Sequence, residues 1–214
     1  MAVTAVKKPG TRRALPKEVR REQLICATMK SIARNGLSGT TMATVTQEAG
    51  LSLGIANLHF ESKEKLLNET LQYVTDEYTQ GQREILNSDK YQNVAEKIQA
   101  LLDFELSPKV LQKDKLAVWV AFWGEAKSRP VYQRIRAKAD IQSENACREL
   151  FQAAIDEGGY KNVDADLLAR GYTALIDGLW LDLLVAPKQF TRRKAKQIAC
   201  HYLASAFPKH ISME

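Results

Sequence analysis

Long apolar runs, paired cysteines and alternating polar and apolar segments are all missing from this chain of 214 residues. The longest apolar run, Leu116 to Trp123, is far shorter than the roughly 20 residues that a membrane span requires. Cys26, Cys147 and Cys200 are odd in number and far apart, which predicts buried thiols in a reducing compartment. Because no segment keeps the two-residue period of a strand, we expect an all-α protein. The short apolar runs and the unpaired cysteines predict a cytoplasmic protein that does not bind a membrane.

Recognisable catalytic motifs are missing as well. The three histidines, His59, His201 and His210, are far apart in the sequence, and no serine or cysteine lies in a known nucleophile motif. No glycine-rich phosphate loop and no cysteine–histidine cluster with metal-ligand spacing is present. We therefore expect a protein that is not an enzyme and that holds neither a metal nor a cofactor.

Basic charge is concentrated at one end of the chain. Residues 1–65 contain 11 lysines and arginines against 5 acidic residues, whereas residues 66–214 contain 20 of each kind. Residues 1–15 (MAVTAVKKPGTRRAL) are predicted to form a flexible basic arm, and no apolar segment follows them as it would in a signal peptide. A basic arm on a neutral body indicates an anionic partner. The alternatives are a solvated tail or a lipid-binding segment, although a membrane arm would carry more large apolar residues.

Apolar residues recur at three- and four-residue spacing along the remaining chain, which predicts about nine helices. The predicted helices cover approximately residues 17–35, 41–50, 52–60, 62–86, 91–107, 111–128, 130–157, 164–185 and 191–206. We divide the chain into the arm (1–15), a small helical domain (16–68) and a larger helical domain (69–214).

Three short helices follow one another in residues 40–67 (TTMATVTQEAGLSLGIANLHFESKEKLL). Thr41, Ser52 and Ser62 are good helix caps, and Gly50 can adopt the positive φ of a tight turn. Helices this short are stable only when they are packed. We therefore expect them to pack on helix 17–35 as a helix-turn-helix, with the third helix as the recognition helix.

The predicted recognition helix has a packed side and a solvent side. Leu58 is expected to pack inwards. The solvent side is expected to carry Leu53, Ile55 or Ala56, Asn57 and His59. Asparagine and histidine side chains can hydrogen-bond base edges or phosphates.

Two lysines at the start of the fourth helix also indicate DNA. Lys63 and Lys65 follow the cap Ser62, where the helix dipole disfavours cations by roughly 0.3–1 kcal/mol. A phosphate bound at this helix N-terminus would explain them. The alternative is a pair of solvated lysines.

These motifs resemble the N-terminal signature of the tetracycline-repressor (TetR) family of bacterial regulators. The resemblance covers about residues 17–70 and lies in Gly36, Thr40-Thr41, Ala49-Gly50-Leu51-Ser52, Gly54, His59-Phe60 and KEKLL at 63–67. It implies a dimeric repressor of double-stranded DNA with a C-terminal ligand-binding and dimerisation domain. The implied DNA contacts are Thr41, Ser52, Leu53, Ile55, Asn57, His59 and Lys63, to which the charge pattern adds Lys65, Arg12 and Arg13. Aromatic residues are common in the family where this chain has Asn57 and Leu58, so we expect no phosphate contact from Leu58.

Aromatic residues and one carboxylate cluster in the body. The candidate ligand-binding residues are Trp119, Phe122, Trp123, Tyr132, Asp177 and Trp180. They could instead form a hydrophobic core in which a buried Arg or Tyr pairs with Asp177. The stretches WVAFW, RP and LIDGLWL resemble the BetI-type regulators, which control betaine synthesis from choline. This implies a quaternary amine such as choline as the effector, which suits an aromatic cage; an unrelated hydrophobic ligand is the alternative.

Small residues along two C-terminal helices predict close helix packing in a homodimer. The candidate interface residues are Gly171, Ala174, Gly178, Leu181, Ala195, Ile198, Ala199 and Tyr202. Packing within one chain is the alternative. A two-fold dimer would separate its recognition helices by about 34–36 Å, or by further turns of DNA, and would bind an imperfect palindrome. Non-specific DNA coating remains a rival function.

Overall fold

The computed structural model describes residues 16–212, and within this range it contains nine α-helices and no β-strand. The all-α prediction is therefore confirmed, whereas the predicted arm, with Arg12 and Arg13, lies outside the described residues. The helices are α1 (Lys17–Gly39), α2 (Met42–Ala49), α3 (Leu53–His59), α4 (Lys63–Leu86), α5 (Val94–Glu105), α6 (Lys113–Glu125), α7 (Pro130–Gly158), α8 (Ala165–Val185) and α9 (Arg192–Ala206). None of the helices described is both long and apolar enough to cross a membrane.

A kink in α1 prepares the short helices that follow. Gly36 has φ of 70°, a conformation that side chains with a Cβ rarely adopt, and it interrupts the helix where the sequence predicts its end. The backbone N–H of Thr40 donates to the Gly36 carbonyl over 3.1 Å, and the Thr40 hydroxyl donates to the same carbonyl over 2.8 Å. The chain therefore turns sharply into α2.

Two hydrophobic clusters fill the fold, and α4 takes part in both. The small cluster joins α1, α2, α3 and the start of α4, and consists of Leu24, Ile25, Ala27, Val45, Ala56, Phe60 and Leu66. Leu67 and Leu71, on the same helix α4, belong to the large cluster that fills the body. The domain boundary that we place after residue 68 therefore lies inside a continuous helix.

The body packs α4 and α8 against α7, and α9 against α8 and α5. Helix α1 also contacts α6, through Met29 and Ile32 of the large cluster. A Cβ at Gly81 of α4 would overlap the ring of Phe104, so a residue without a side chain is needed for α4 to approach α5 this closely. The helical body is thus connected to the small domain by both α4 and the α1–α6 contact.

Candidate DNA-binding surface and ligand cavity

Side-chain caps define the start of each short helix. Thr41 and Thr44 form a capping box, in which the Thr41 hydroxyl accepts from the Thr44 N–H over 3.1 Å and the Thr44 hydroxyl accepts from the Thr41 N–H over 2.8 Å. The Ser52 hydroxyl accepts from the Ile55 N–H over 3.3 Å. Thr41 and Ser52 are both exposed, so their predicted DNA contacts would be made by groups that also stabilise helix ends.

The turn between α2 and α3 has the geometry that the sequence predicts. Gly50 lies in the left-handed region with φ of 64° and ψ of 34°, and the Leu51 N–H donates to the Thr46 carbonyl over 2.9 Å. The Gln23 side chain of α1 donates to the Ala49 carbonyl over 2.8 Å. These bonds fix α2 on α1 and set the direction in which α3 leaves the turn.

The two sides of α3 are clearly separated by burial. Ala56 is fully buried in the small cluster, which places it on the inner side and removes it as a candidate for the solvent side. Leu53 is 49% exposed and Asn57 is exposed, while Ile55 and His59 are half-buried. The outer side of α3 therefore presents the polar and apolar residues expected of a recognition helix.

Leu58 is 79% exposed, so the expectation that it packs inwards is wrong. Position 58 lies two residues after the buried Ala56, which corresponds to a rotation of about 200° around the helix. Its side chain therefore lies on the outer side of α3 with Asn57. Periodicity over a helix of 7 residues was too short a signal to distinguish the two sides.

Arg21 fastens the end of α3 to the rest of the small domain, a role that the sequence analysis missed. Its guanidinium donates to the His59 carbonyl over 2.8 Å and forms an ion pair with Glu69 of α4. The same group lies 4.6 Å from the centre of the Phe60 ring. Arg21 thus connects α1, α3 and α4, and part of the N-terminal basic excess is structural.

Lys63 and Lys65 differ in their surroundings although both lie in the first turn of α4. The Lys63 ammonium donates to the Leu37 carbonyl over 3.1 Å, beside the kink in α1. Its two other N–H donors remain available for a phosphate. The Lys65 side chain is exposed, and its backbone N–H donates to the Ser62 cap over 3.1 Å. The alternative of two solvated lysines is therefore wrong for Lys63, and the phosphate contacts of both remain predictions.

A cavity of about 110 Å³ lies within the body between α4, α5, α6, α7 and α8. It is larger than one water molecule, whose share of liquid volume is about 30 Å³. Three of the candidate ligand-binding residues, Trp119, Asp177 and Trp180, line it. Phe122 and Tyr132 do not, because their rings contact each other edge-on at 4.5 Å in the hydrophobic core. For these two residues the core alternative is the one that fits.

Asp177 pairs with an arginine of its own chain, as the alternative of a hydrophobic core with a paired carboxylate expects. Arg136 of α7 forms ion pairs with Asp177 over 2.5 Å and with Asp140 over 2.6 Å. The guanidinium also lies 4.7 Å from the ring centre of Trp123 and 5.7 Å from that of Trp119. Burial raises the pKa of Asp177, and the adjacent Arg136 acts against this shift. Trp123, which does not line the cavity, therefore packs beneath an ion pair at one side of it.

Glu105 is the polar group of the cavity that the sequence analysis missed. Its side chain is buried and accepts hydrogen bonds from the Tyr78 hydroxyl over 2.8 Å and from the Gln82 amide over 2.9 Å. Burial raises its pKa to about 7, against the opposite effect of these two hydrogen bonds. A signal was present in the sequence, since this glutamate shares the apolar period of α5 with Leu101 and Leu102.

Aromatic rings surround this part of the cavity. The ring centre of Tyr78 is 5.3 Å from that of Trp180 and 6.1 Å from that of Trp119, both in edge-on arrangements. Trp119 and Trp180 are 6.4 Å apart. Tyr172 also lines the cavity, and its buried hydroxyl has no hydrogen-bond partner among residues 16–212. The cavity thus combines indole and phenol rings with carboxyl groups, a combination suited to a small cation.

The predicted dimer residues fall into two groups. Ala174, Gly178, Leu181 and Ile198 are exposed and remain candidates for an interface. Ala195 and Ala199 are fully buried in their own chain, so the prediction that they contact a second chain is wrong. Gly171 and Tyr202 contact each other where α8 approaches α9, so they serve packing within the chain. The same pattern of small residues thus serves intrachain packing on α9 and leaves one side of α8 exposed.

Short helices packed on α1, beside a helical body with an internal cavity, define the helix-turn-helix class of ligand-responsive regulators. Residues 24–70 match the family model for bacterial regulatory proteins of the tetR family, and residues 63–208 match the model for the C-terminal part of BetI-type transcriptional repressors. The chain is 31% identical over 189 residues to the HTH-type transcriptional regulator BetI of Vibrio vulnificus (strain YJ016), covering 88% of this chain and 92% of that protein. The chain therefore belongs to the BetI-type transcriptional repressors of the tetR family.

Solved structures have the same architecture. A transcriptional regulator from Pseudomonas aeruginosa PAO1 matches with a TM-score of 0.78 and 28% identity over 92% of this chain and 94% of that one. A protein from Saccharomonospora viridis, in complex with choline, matches with a TM-score of 0.77 and 22% identity over 87% and 96% of the two chains. At that identity the second match shows a common fold. Since the family consists of transcriptional regulators that bind operators and effectors as dimers, the prediction that the chain is not an enzyme is confirmed.

Proposed function

We propose that the chain forms a homodimeric repressor whose binding to a palindromic operator is weakened by a quaternary amine such as choline. The observation that carries the effector class is the cavity, in which Trp119 and Trp180 lie beside buried and half-buried carboxyl groups. A quaternary ammonium ion is stabilised by both aromatic rings and negative charge. The fold shared with a protein that binds choline supports this choice.

The outer side of α3 reads the operator, and the residues around it position the protein on phosphates. The proposed contacts are Thr41, Ser52, Leu53, Ile55, Asn57, His59, Lys63 and Lys65, together with Arg12 and Arg13 of the arm. Exposed Leu58 adds an apolar contact, since leucine can pack against the methyl group of thymine in the major groove. Phosphate contacts of this kind would make the affinity depend on salt concentration.

Two helices connect the cavity to the DNA-binding surface. Helix α4 carries Lys63 at one end and Tyr78, which lines the cavity, farther along. Helix α6 carries Trp119 and packs against α1, on which α2 and α3 rest. A ligand that favours another position of α4 or α6 would change the spacing of the two recognition helices, to the extent of its differential affinity for the two states.

The test is fluorescence anisotropy of a labelled duplex from the region upstream of this gene, against a scrambled duplex at the same salt concentration. We expect tight binding to the upstream duplex, weak binding to the scrambled one, and release by choline. Equal binding to both duplexes would favour non-specific DNA coating. Specific binding that choline does not change would support the repressor function and contradict choline as the effector. It would favour an unrelated hydrophobic ligand instead.

A pair of asparagine variants separates base reading from general effects. Asn57→Ala removes an exposed amide from the outer side of α3, and it should weaken operator binding roughly 10- to 100-fold. Asn162→Ala removes an exposed amide from the loop before α8, and it should leave operator binding unchanged. Equal affinities for the two variants would contradict the assignment of α3 as the recognition helix.

A further inference from the structure

One carboxyl group of the cavity is not balanced by a cation. Asp140 and Asp177 line the cavity and both pair with Arg136. Glu105 lines the same cavity, yet no lysine, arginine or histidine among residues 16–212 forms an ion pair with it. Arg136 and Arg170 are also on the lining, but Arg170 pairs with Glu144, so an ionised Glu105 leaves an excess of negative charge there.

The surroundings of Glu105 are arranged to accept either a proton or a cation. Glu105 is 1% exposed, and a buried ionised carboxylate without a cation is strongly disfavoured. At the same time, the Tyr78 hydroxyl and the Gln82 amide both donate to it, which favours the ionised form. Gln82 is itself held by the Ser143 hydroxyl at 2.9 Å, so the donors are fixed in place.

Tyr172, another residue of the lining, carries a hydroxyl group without a partner among the described residues. The Tyr172 hydroxyl is buried, and no residue in the described chain hydrogen-bonds to it. Buried hydroxyl groups without a partner are uncommon and are usually satisfied by a water or a ligand. Glu105 and Tyr172 are thus two separate indications of what the cavity binds: a cationic group and a hydrogen-bonding group.

We propose that Glu105 is the counter-ion of the ligand's cationic group, that its carboxylic acid releases a proton to the solvent as the ligand enters, and that the Tyr172 hydroxyl receives the ligand's polar end. This rests on the proposed function, because it assumes that the effector is a quaternary amine. The inference identifies Glu105 as the residue that favours a positively charged ligand. It also makes effector binding depend on pH. The permanent cation takes the place of the proton that Glu105 loses.

Several titratable and charged groups face Glu105 from the neighbouring helices. Burial raises the pKa of the Tyr78 and Tyr172 phenols from α4 and α8, and of the Cys147 thiol from α7. The charged neighbours on α7 and α8 are Arg136, Asp140, Asp177 and Arg170, all held in ion pairs. From α9, Arg192 donates to the carbonyl of Leu106. Burial raises the pKa of Glu105 to about 7, with no cation from the described part of the chain beside it. Burial also raises the pKa of Asp140 and of Asp177, but there the adjacent Arg136 acts against the shift.

The experiment is isothermal titration calorimetry of the full chain with choline between pH 6 and pH 8, in buffers with different heats of ionisation. Below pH 7 we expect the affinity to rise with pH by up to about tenfold per unit and one proton to be released. Above pH 7 both effects should fade. The neutral isostere 3,3-dimethylbutan-1-ol should bind more weakly and without this pH dependence.

Three variants complete the test. Glu105→Gln should bind choline at least tenfold more weakly at pH 8, release no proton, and bind the neutral isostere at least as well as the wild type does. Asp182→Asn, on the exposed side of α8, is the matched control and should behave as the wild type. Tyr172→Phe should weaken binding of choline but not of tetramethylammonium, which lacks the hydroxyl group.

The failures of the two proposals are distinguishable. Choline binding by the wild type without proton release, or with unchanged affinity in Glu105→Gln, would overturn the role of Glu105 and leave the effector in place. Absence of choline binding by the wild type at every pH would overturn the proposed effector and this inference together. Because proton release is measured on the wild type, a Glu105→Gln chain that does not fold would still leave the inference decided.

Discussion

Polar side chains do different work in the helix-turn-helix region and in the cavity. In the first region the caps satisfy nearby backbone groups, as when Thr41 and Ser52 cap the helices that they precede, and Arg21 joins three helices. In the cavity they join helices that are distant in sequence, as when Gln82 reaches Glu105 and Ser143. We propose that the first kind of contact shapes the DNA-binding surface and that the second shapes the ligand-binding interior.

The charge balance of the two regions differs in the same way. The DNA-binding surface presents exposed or half-buried cations such as Lys63 and Lys65 at the start of α4. The cavity keeps its cations Arg136 and Arg170 paired and leaves the Glu105 carboxyl group without a cation from residues 16–212. A DNA phosphate would neutralise the cations of the surface, and a cationic ligand would neutralise the Glu105 carboxylate in the cavity.

The largest effect that we expect is on the pH dependence of the free energy of unfolding, through Glu105 in the cavity. The folded chain binds the Glu105 proton more tightly than the unfolded chain, since the pKa rises from an ordinary value of 4.5 to about 7. The wild-type free energy of unfolding should therefore fall as pH rises from about 4.5 to 7, and level off above 7. Glu105→Gln cannot lose a proton and should lack this fall.

Denaturant unfolding at pH 5 and pH 8 measures the difference. The stability of Glu105→Gln relative to the wild type should rise between these values by up to about 3 kcal/mol. Asp182→Asn, whose carboxyl group is exposed, should follow the wild type. Parallel pH profiles for wild type and Glu105→Gln would show that this carboxyl group keeps an ordinary pKa in the fold.

A smaller effect is expected on the DNA-binding surface, where Leu58 is exposed on α3. Leu58→Ala should leave the thermal midpoint unchanged, because the side chain packs against little in the free protein. It should weaken operator binding by roughly 1–2 kcal/mol through the lost contact with a thymine methyl group. Val185→Ala, another exposed apolar truncation far from α3, serves as the control in anisotropy. A lower thermal midpoint with unchanged operator affinity would return Leu58 to a packing role.

The smallest effects should come from two helix caps, one at the DNA-binding surface and one on α9, outside both regions. Ser62 caps α4 and Thr191 caps α9 through a bond from the Lys194 N–H of 3.3 Å. Ser62→Ala and Thr191→Ala should each lower the free energy of unfolding by about 1 kcal/mol. We expect only Ser62→Ala to weaken operator binding, because Lys63 and Lys65 follow that cap. Similar operator affinities for both variants would show that the start of α4 does not contact the operator.

Local signals explain how much of this molecule could be predicted. The caps, the Gly50 turn and the three-helix arrangement depend on residues a few positions apart, so they were predicted from the sequence. The cavity depends on pairs such as Trp180, whose indole N–H donates to the Glu105 carbonyl over 3.0 Å across 75 positions. No local pattern reveals such a pair, and the aromatic stripe therefore predicted Phe122 and Tyr132 as well as the cavity residues.

Packing direction is the other property that the sequence left open. Small residues indicated close packing on α8 and α9, but not whether the partner belongs to the same chain, and Ala195 and Ala199 face their own body. In α3, an error of about half a turn was enough to place Leu58 on the wrong side. Both errors concern which neighbour a helix side packs against, and contacts between residues distant in sequence decide this.

Coupling between the cavity and the DNA-binding surface can be tested through the reciprocity of the two binding equilibria. The choline dissociation constant should be measured by calorimetry with the chain free and with the chain saturated by its operator duplex. We expect the operator to weaken choline binding by the same factor by which choline weakens operator binding. Equal choline affinities for the free and the operator-bound chain would contradict it.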